Sequence, residues 1–425
     1  MPPTLIRAGT VITADPNDRV LHNQGILLED DVIVAVDDWA QFGEQHAAPV
    51  TDLSGYTVMP GLIDAHTHVV HDGDPNEDWR LVTLTRLPAT SALKAARNAR
   101  RQVENGITTI RDLGANDWVD IALRDAINEG WQLGPRIVAC GHGITGPGGH
   151  MDARRYARPG TPLEMLSSIG VVVESADEAR RATWEQLMRG ADVIKLNATL
   201  SEYVRALGGQ CSPELTFDMM QAICEVAHNA GRKVAAHCHG GPGVQDAIRA
   251  GVDTFEHGRF LTDELLDQIA EGGRFLVPTL SPEAQSIAND APPKDAATRK
   301  WYVLATGAMY KTVERAHKRG VRVVAGTDAG MPYVYHGSLS FEMKHLAQAG
   351  LPNKAVIASA TRVAAEALGL EDTIGQIAPN FCADLIVLNG DPTQNLSVLE
   401  QPAAPLIVMQ RGEITVDRRE PGTGD

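Results

Sequence analysis

Val58-Met59-Pro60-Gly61-Leu62-Ile63-Asp64-Ala65-His66-Thr67-His68 is the stretch on which the reading of the fold turns. An apolar run of strand length ends in two histidines one residue apart. Side chains alternate between the faces of a strand, so His66 and His68 project the same way. Two imidazoles leaving a strand end together make half of a metal site. Neutral imidazole is the commonest protein ligand for zinc-like ions, and a catalytic centre needs further ligands and an open position for water.

Further apolar runs of strand length follow at residues 107–113, 136–140, 193–196, 234–237, 254–257, 275–280 and 321–326. Helix-like segments lie between most of them, including 92–105, 176–189, 217–231 and 304–320. Several of these stop at a glycine just before the next run, such as Gly190 and Gly320, which fits a left-handed helix stop. With the run at Val58 this makes eight strands alternating with helices, the pattern of an α/β fold of the (β/α)8 TIM barrel type. Residues 1–57 are instead short strand-like runs separated by turns such as Asp15-Pro16-Asn17-Asp18, and residues 381–425 repeat that character. The expected organisation is a barrel over 58–380 and a small β-sandwich-like domain built from both chain ends, 1–57 and 381–425.

In such a barrel the chemistry sits at the C-terminal ends of the strands. The first run ends in His66 and His68, the fourth in Lys195, the fifth in His237, the sixth in His257 and the eighth in Asp328. One histidine at a strand end would ordinarily be a hydrogen-bonded structural residue. Six candidate ligands in register on five strands are a set. Lys195 stands in the run Ala191-Asp192-Val193-Ile194-Lys195-Leu196, where burial would depress its pKa and leave a nucleophilic amine. Such an amine can capture carbon dioxide as a carbamate, an anion whose two oxygens can bridge two metals. His239 shares a face with His237, so spacing alone leaves open which of the two is the strand-five ligand.

Composition narrows the class. The chain has 425 residues, 22% charged and 43% hydrophobic, with a formal net charge of -16. That balance argues against a nucleic-acid or anionic-membrane surface. No secretory signal is read at Met1-Pro2-Pro3-Thr4, and no apolar run approaches a membrane span. Five cysteines without CxxC spacing read as reduced thiols. A cytoplasmic homo-oligomer acting on a small molecule is expected, with neither nucleic acid nor membrane as partner.

These residues resemble the amidohydrolase superfamily over nearly the whole chain. The resemblance is carried by Pro60-Gly61-Leu62-Ile63-Asp64-Ala65-His66-Thr67-His68, Glu256-His257-Gly258, Gly326-Thr327-Asp328-Ala329-Gly330, Ala360-Thr361-Arg362 and the late run Ala383-Asp384-Leu385-Ile386-Val387-Leu388. Within it, Val234-Ala235-Ala236-His237-Cys238-His239-Gly240 and Gly148-Gly149-His150 are similar to the branch of prolidase-like enzymes, Xaa-Arg carboxypeptidases and ochratoxin amidases, loosely called imidazolonepropionase-like. The resemblance implies two divalent metal ions, with zinc expected. His66, His68 and Asp328 would hold one, His237 and His257 the other, and carbamylated Lys195 would bridge them. It implies His237 as the strand-five ligand, with His239 behind it. Asp328 would move the proton of the attacking water, with His150 and His239 next in line. His150 is the loop histidine that would contact substrate, and His142 is a weaker candidate in the same loop. His336 would line the pocket. Arg111 and Asp112 read as an internal ion pair.

The implied reaction is hydrolysis of an amide bond in an N-acyl amino acid, a dipeptide-like compound or a xenobiotic amide. Carbamate, urea or cyclic-amide hydrolysis is the alternative chemistry, and a non-catalytic barrel the alternative class. The sequence departs from the family at Leu196-Asn197-Ala198-Thr199-Leu200-Ser201-Glu202-Tyr203, where glycines are usual, and at Leu215-Thr216, where an aromatic-serine pair is usual. That aromatic helps bind a substrate carboxylate in peptidase-like members, and Tyr203 or Arg205 are candidates to replace it. Pro379-Asn380-Phe381-Cys382-Ala383-Asp384 also replaces a more usual glycine-lysine turn, far from the metal ligands.

Overall fold

The fold is that of a computed structural model, which describes residues 3–42, 48–162, 165–200, 211–289, 296–401 and 404–419. Eight parallel strands form the middle: Leu62–Thr67, Ile107–Asp112, Arg136–Ala139, Val193–Asn197, Lys233–Cys238, Thr254–His257, Phe275–Val277 and Arg322–Val323. The third resumes as Gly143–Thr145, which pairs with the fourth through Ile144 and Leu196. Asp192 N also donates to Ala139 O at 2.7 Å, joining the third strand to the fourth. The eighth closes on the first: Ala65 N donates to Ala325 O at 3.1 Å and Asp328 N to His66 O at 2.8 Å. Every residue of the first, second and fourth strands is buried, as expected of a sheet covered on both faces.

Helices Pro88–Glu104, Ala176–Arg189, Phe217–Asn229 and Ala296–Lys318 stand where the sequence pattern puts them. The second of these is capped at both ends. The Ser175 side chain accepts from Glu178 N, and Gly190 follows at φ 101°, a conformation costly for any residue with a Cβ. The seventh and eighth strands are shorter than their apolar runs. Thr279 turns the chain at φ 48° before helix Ser281–Ala288, which ends the seventh early.

Both chain ends enter one seven-stranded sheet, ordered Glu413–Asp417, Ile407–Gln410, Leu385–Leu388, Val50–Pro60, Thr4–Ile12, Val20–Glu29, Val32–Asp38. Leu385–Leu388 runs antiparallel to Val50–Pro60, with Val387 opposite Val58 and Ile386 opposite Met59. The two-residue period then sorts side chains between two cores. Val58, Leu385, Val387 and Ile407 pack within the terminal sheet's own core. Met59, Ile386 and Val408 pack into the core shared with the barrel. One face of the sheet thus anchors it to the barrel, on the strand just before the one that carries His66. Among the described residues no helix is long and apolar enough to cross a membrane.

Candidate metal centre

The strand ends bring the candidate ligands together. His66 is almost fully buried, and its Nδ1 is hydrogen bonded to Glu256 Oε2 at 2.8 Å. His68, one residue past the strand, is held through Nδ1 by Gly114 O at 3.1 Å. Both rings therefore turn Nε2 to the same place, 3.6 Å and 3.5 Å from Asp328 Oδ1. His257 is anchored in the same way, Nδ1 to Thr279 Oγ1 at 2.6 Å. Fixing one ring nitrogen orients the other, which is how metal-binding histidines are ordinarily held. Ligand atoms of His66, His257 and Asp328 all lie within 4.8 Å of one another.

The register explains how His257 reaches this group. Asn197 pairs with His237, and His237 with Glu256. Glu256 faces inward, where it meets His66, so strand alternation would send His257 outward. Instead His257 adopts φ 71°, and its ring returns to 5.1 Å from that of His66. Asp328 has φ 58° and Thr279 φ 48°. Positive φ is uncommon for residues with a side chain, and three such residues gather at this one site.

The His237 ring stands between three others: His257 at 4.7 Å, His239 at 4.8 Å, and His150 stacked on it at 4.1 Å with planes 10° apart. Burial, reinforced by the neighbouring imidazoles, holds the His237 pKa well below its ordinary value. Burial does the same to His66, with the Lys195 ammonium as the next cause. The group is thus kept neutral, the form that binds metal. Lys195 is buried in the fourth strand, and burial lowers its pKa while the Glu256 and Asp328 carboxylates pull the other way.

The donor set fits divalent metal. Neither ring nitrogen of His237, nor either of His239, has a hydrogen-bond partner among the described residues. Buried polar atoms left so are costly unless something occupies them. Imidazole and carboxylate donors converging on one point are what zinc, manganese, cobalt or iron would accept.

The Amidohydrolase family matches residues 57–415, most of the chain. The chain belongs to that family. It is 29% identical to the ochratoxinase of Aspergillus niger, across 99% of this chain and 88% of that protein. It is 30% identical to a Xaa-Pro dipeptidase solved with methionine in its active site, with a TM-score of 0.85 and 97% and 99% of the two chains covered. It is 27% identical to a prolidase complexed with N-methylphosphonate-L-proline, with a TM-score of 0.86 over 98% of this chain and 100% of that one. As an amidohydrolase it is a hydrolase of carbon–nitrogen bonds.

Other candidates of this amidohydrolase fall in different places. His150 is in the cluster, as its stacking shows. His142 is not; its ring lies 4.4 Å from that of Trp118. His336 has both ring nitrogens engaged, one with Gln102 Nε2 at 3.0 Å and one with His71 O at 2.8 Å. It is built into the wall behind His68. Tyr203 and Arg205 lie outside the described residues.

Arg111 and Asp112 do not pair with each other. As neighbours on a strand they face opposite sides. Arg111 reaches Glu256 Oε1 at 2.9 Å, Thr254 Oγ1 at 2.9 Å and Ala65 O at 2.7 Å. Asp112 instead accepts from Val69 N at 2.6 Å. Three acids that sequence reasoning left without a role support the site. Glu256 links Arg111 to His66. Asp64 accepts from Thr327 N at 2.9 Å and from the Thr327 hydroxyl at 2.6 Å, tying the first strand to the eighth. Glu214 holds the loop of His150. A charge inside an apolar strand signals the first two; nothing local signals Glu214.

Proposed function

We propose that this amidohydrolase hydrolyses the amide bond of an N-acyl amino acid, a dipeptide-like compound or a xenobiotic amide at a centre of two divalent ions, zinc the expected metal. The observation that carries this is the convergence of His66, His68, His257 and Asp328 beside His237, whose ring nitrogens have no hydrogen-bond partner among the described residues. His66, His68 and Asp328 would hold one ion, His237 and His257 the other, with a carbamate on Lys195 between them. When bound, the ions supply Lewis acidity, lowering the pKa of water and polarising the scissile carbonyl.

The chain's own groups do the rest. Asp328 presents a carboxylate beside the two imidazoles of strand one, where it accepts the proton of the attacking water and returns it to the leaving nitrogen. The anchors Glu256, Gly114 and Thr279 hold the imidazoles in place through their Nδ1 atoms, so little reorganisation accompanies the reaction. His150 contacts the substrate from the glycine-rich loop, with His239 beside His237 as a further polar wall. The amino-acid-derived substrate class is supported by the named dipeptidase and prolidase relatives.

The test is a screen of metal-loaded protein against N-acyl amino acids, dipeptides, carbamates and ureas. Turnover concentrated among the first two classes is expected. Hydrolysis of carbamates or ureas alone would replace this reading with the alternative chemistry.

A further inference from the structure

The loop carrying His150 is held by a carboxylate that the proposed chemistry does not use. Glu214 is partly exposed as a residue, but its carboxylate turns inward. Its Oε1 accepts from the Thr145 hydroxyl and from Gly146 N at 3.1 Å, and its Oε2 accepts from His150 N at 2.9 Å. Thr145 Oγ1 in turn accepts from Asn197 Nδ2 at 3.1 Å. Glu214 N donates to Ala198 O at 3.0 Å. One residue therefore ties the loop after the third strand to the end of the fourth, two residues beyond Lys195.

The glycines of this loop fit the same arrangement. A Cβ on Gly149 would lie 2.2 Å from Glu214 Oε1 and 2.6 Å from Thr145 Oγ1. A Cβ on Gly146 would lie 3.0 Å from Glu214 O. The loop is thus small-residued where the carboxylate enters it. The consequence appears at the next residue, where the His150 ring lies flat against His237.

We propose that Glu214 is a positioning residue, whose carboxylate pins the glycine loop so that His150 stays stacked on His237 and faces the substrate. This rests on the reading that His150 contacts substrate, but its test does not need turnover. Metal-loaded wild type, Glu214→Ala and Glu214→Gln are treated with diethyl pyrocarbonate, and labelling of each histidine is followed by peptide mass spectrometry. Surface His228 serves as the internal reference. Losing charge-assisted hydrogen bonds to the loop should speed His150 labelling about tenfold in Glu214→Ala, with His228 unchanged. Glu214→Gln keeps the shape but replaces one acceptor oxygen with an amide NH2, which donates and cannot accept from a loop N–H. It should move the same way, and it decides the matter if the alanine variant does not fold.

Unchanged His150 labelling in a folded, metal-replete variant overturns the proposal. With whichever substrate of the screen wild type turns over, Glu214→Gln should raise KM more than it lowers kcat. It should add nothing in a His150→Ala background, and additive effects would also overturn the proposal. If no compound in the screen is turned over, the functional reading fails and the labelling result still stands.

Discussion

In the proposed reaction Asp328 carries the heaviest chemical load of any single residue. Its Oδ1 lies 3.6 Å and 3.5 Å from the Nε2 atoms of His66 and His68, on a backbone at positive φ. Asp328→Asn should lower turnover by about 100-fold or more, the scale of lost general acid-base catalysis, with a smaller change in KM. Steady-state kinetics on variant with verified metal occupancy checks this. Near-normal turnover would move the base to His150 or His239. Lys195→Ala should lose metal and activity together, and short carboxylic acids should partly restore both by standing in for the carbamate. Wild-type metal content and turnover in that variant would refute the bridge. Glu256→Gln tests the support behind His66. It removes the counter-charge of fully buried Arg111, which should cost about 3–5 kcal/mol in urea unfolding. It should also weaken metal binding by roughly 10–100-fold, which a chelator competition would measure.

At the scale of elements, the alternation of strands and helices was legible because buried parallel strands are nearly continuous apolar runs. The polar residue ending such a run stands out, which is why His66, Lys195, His237 and Asp328 could be read directly. What could not be read was pairing across strands. Arg111 meets Glu256 because the second and sixth strands face each other across the barrel, a relation that no local spacing encodes. The engagement of both His336 ring nitrogens, with Gln102 and with the His71 carbonyl, is likewise a relation that local spacing does not encode. The backbone turn at His257 was also invisible, because the sequence does not announce a positive φ at a histidine.

Glu342 offers a test of one such tie. From helix Leu339–Gln348 its carboxylate accepts from Leu280 N at 2.9 Å and Ser281 N at 2.8 Å, fixing the chain after the seventh strand. Burial pushes its pKa up from 4.5 to about 7, against those hydrogen bonds. The native state therefore holds this proton more tightly than the unfolded chain does. Its contribution to stability is full below pH 4.5 and is lost as pH rises through 7. The loss is on the order of 3 kcal/mol. Glu342→Gln should remove that part of the pH dependence, so urea unfolding of variant and wild type between these pH values should diverge. Parallel curves would show that Glu342 does not titrate in this way.

For the whole molecule, one sheet from both chain ends and one barrel share an apolar core, and the sheet strand Val50–Pro60 leads through Gly61 into the barrel strand that delivers the histidine pair. The buried imidazoles of the fifth strand make the centre expensive to leave without ligand. Metal should accordingly stabilise the fold, in proportion to how far its concentration exceeds the dissociation constant. The central claim is that this barrel mouth is a two-metal site. Elemental analysis of protein purified without chelator measures it most directly. The expected result is close to two divalent ions per chain, and full activity in a preparation holding one ion per chain would contradict it.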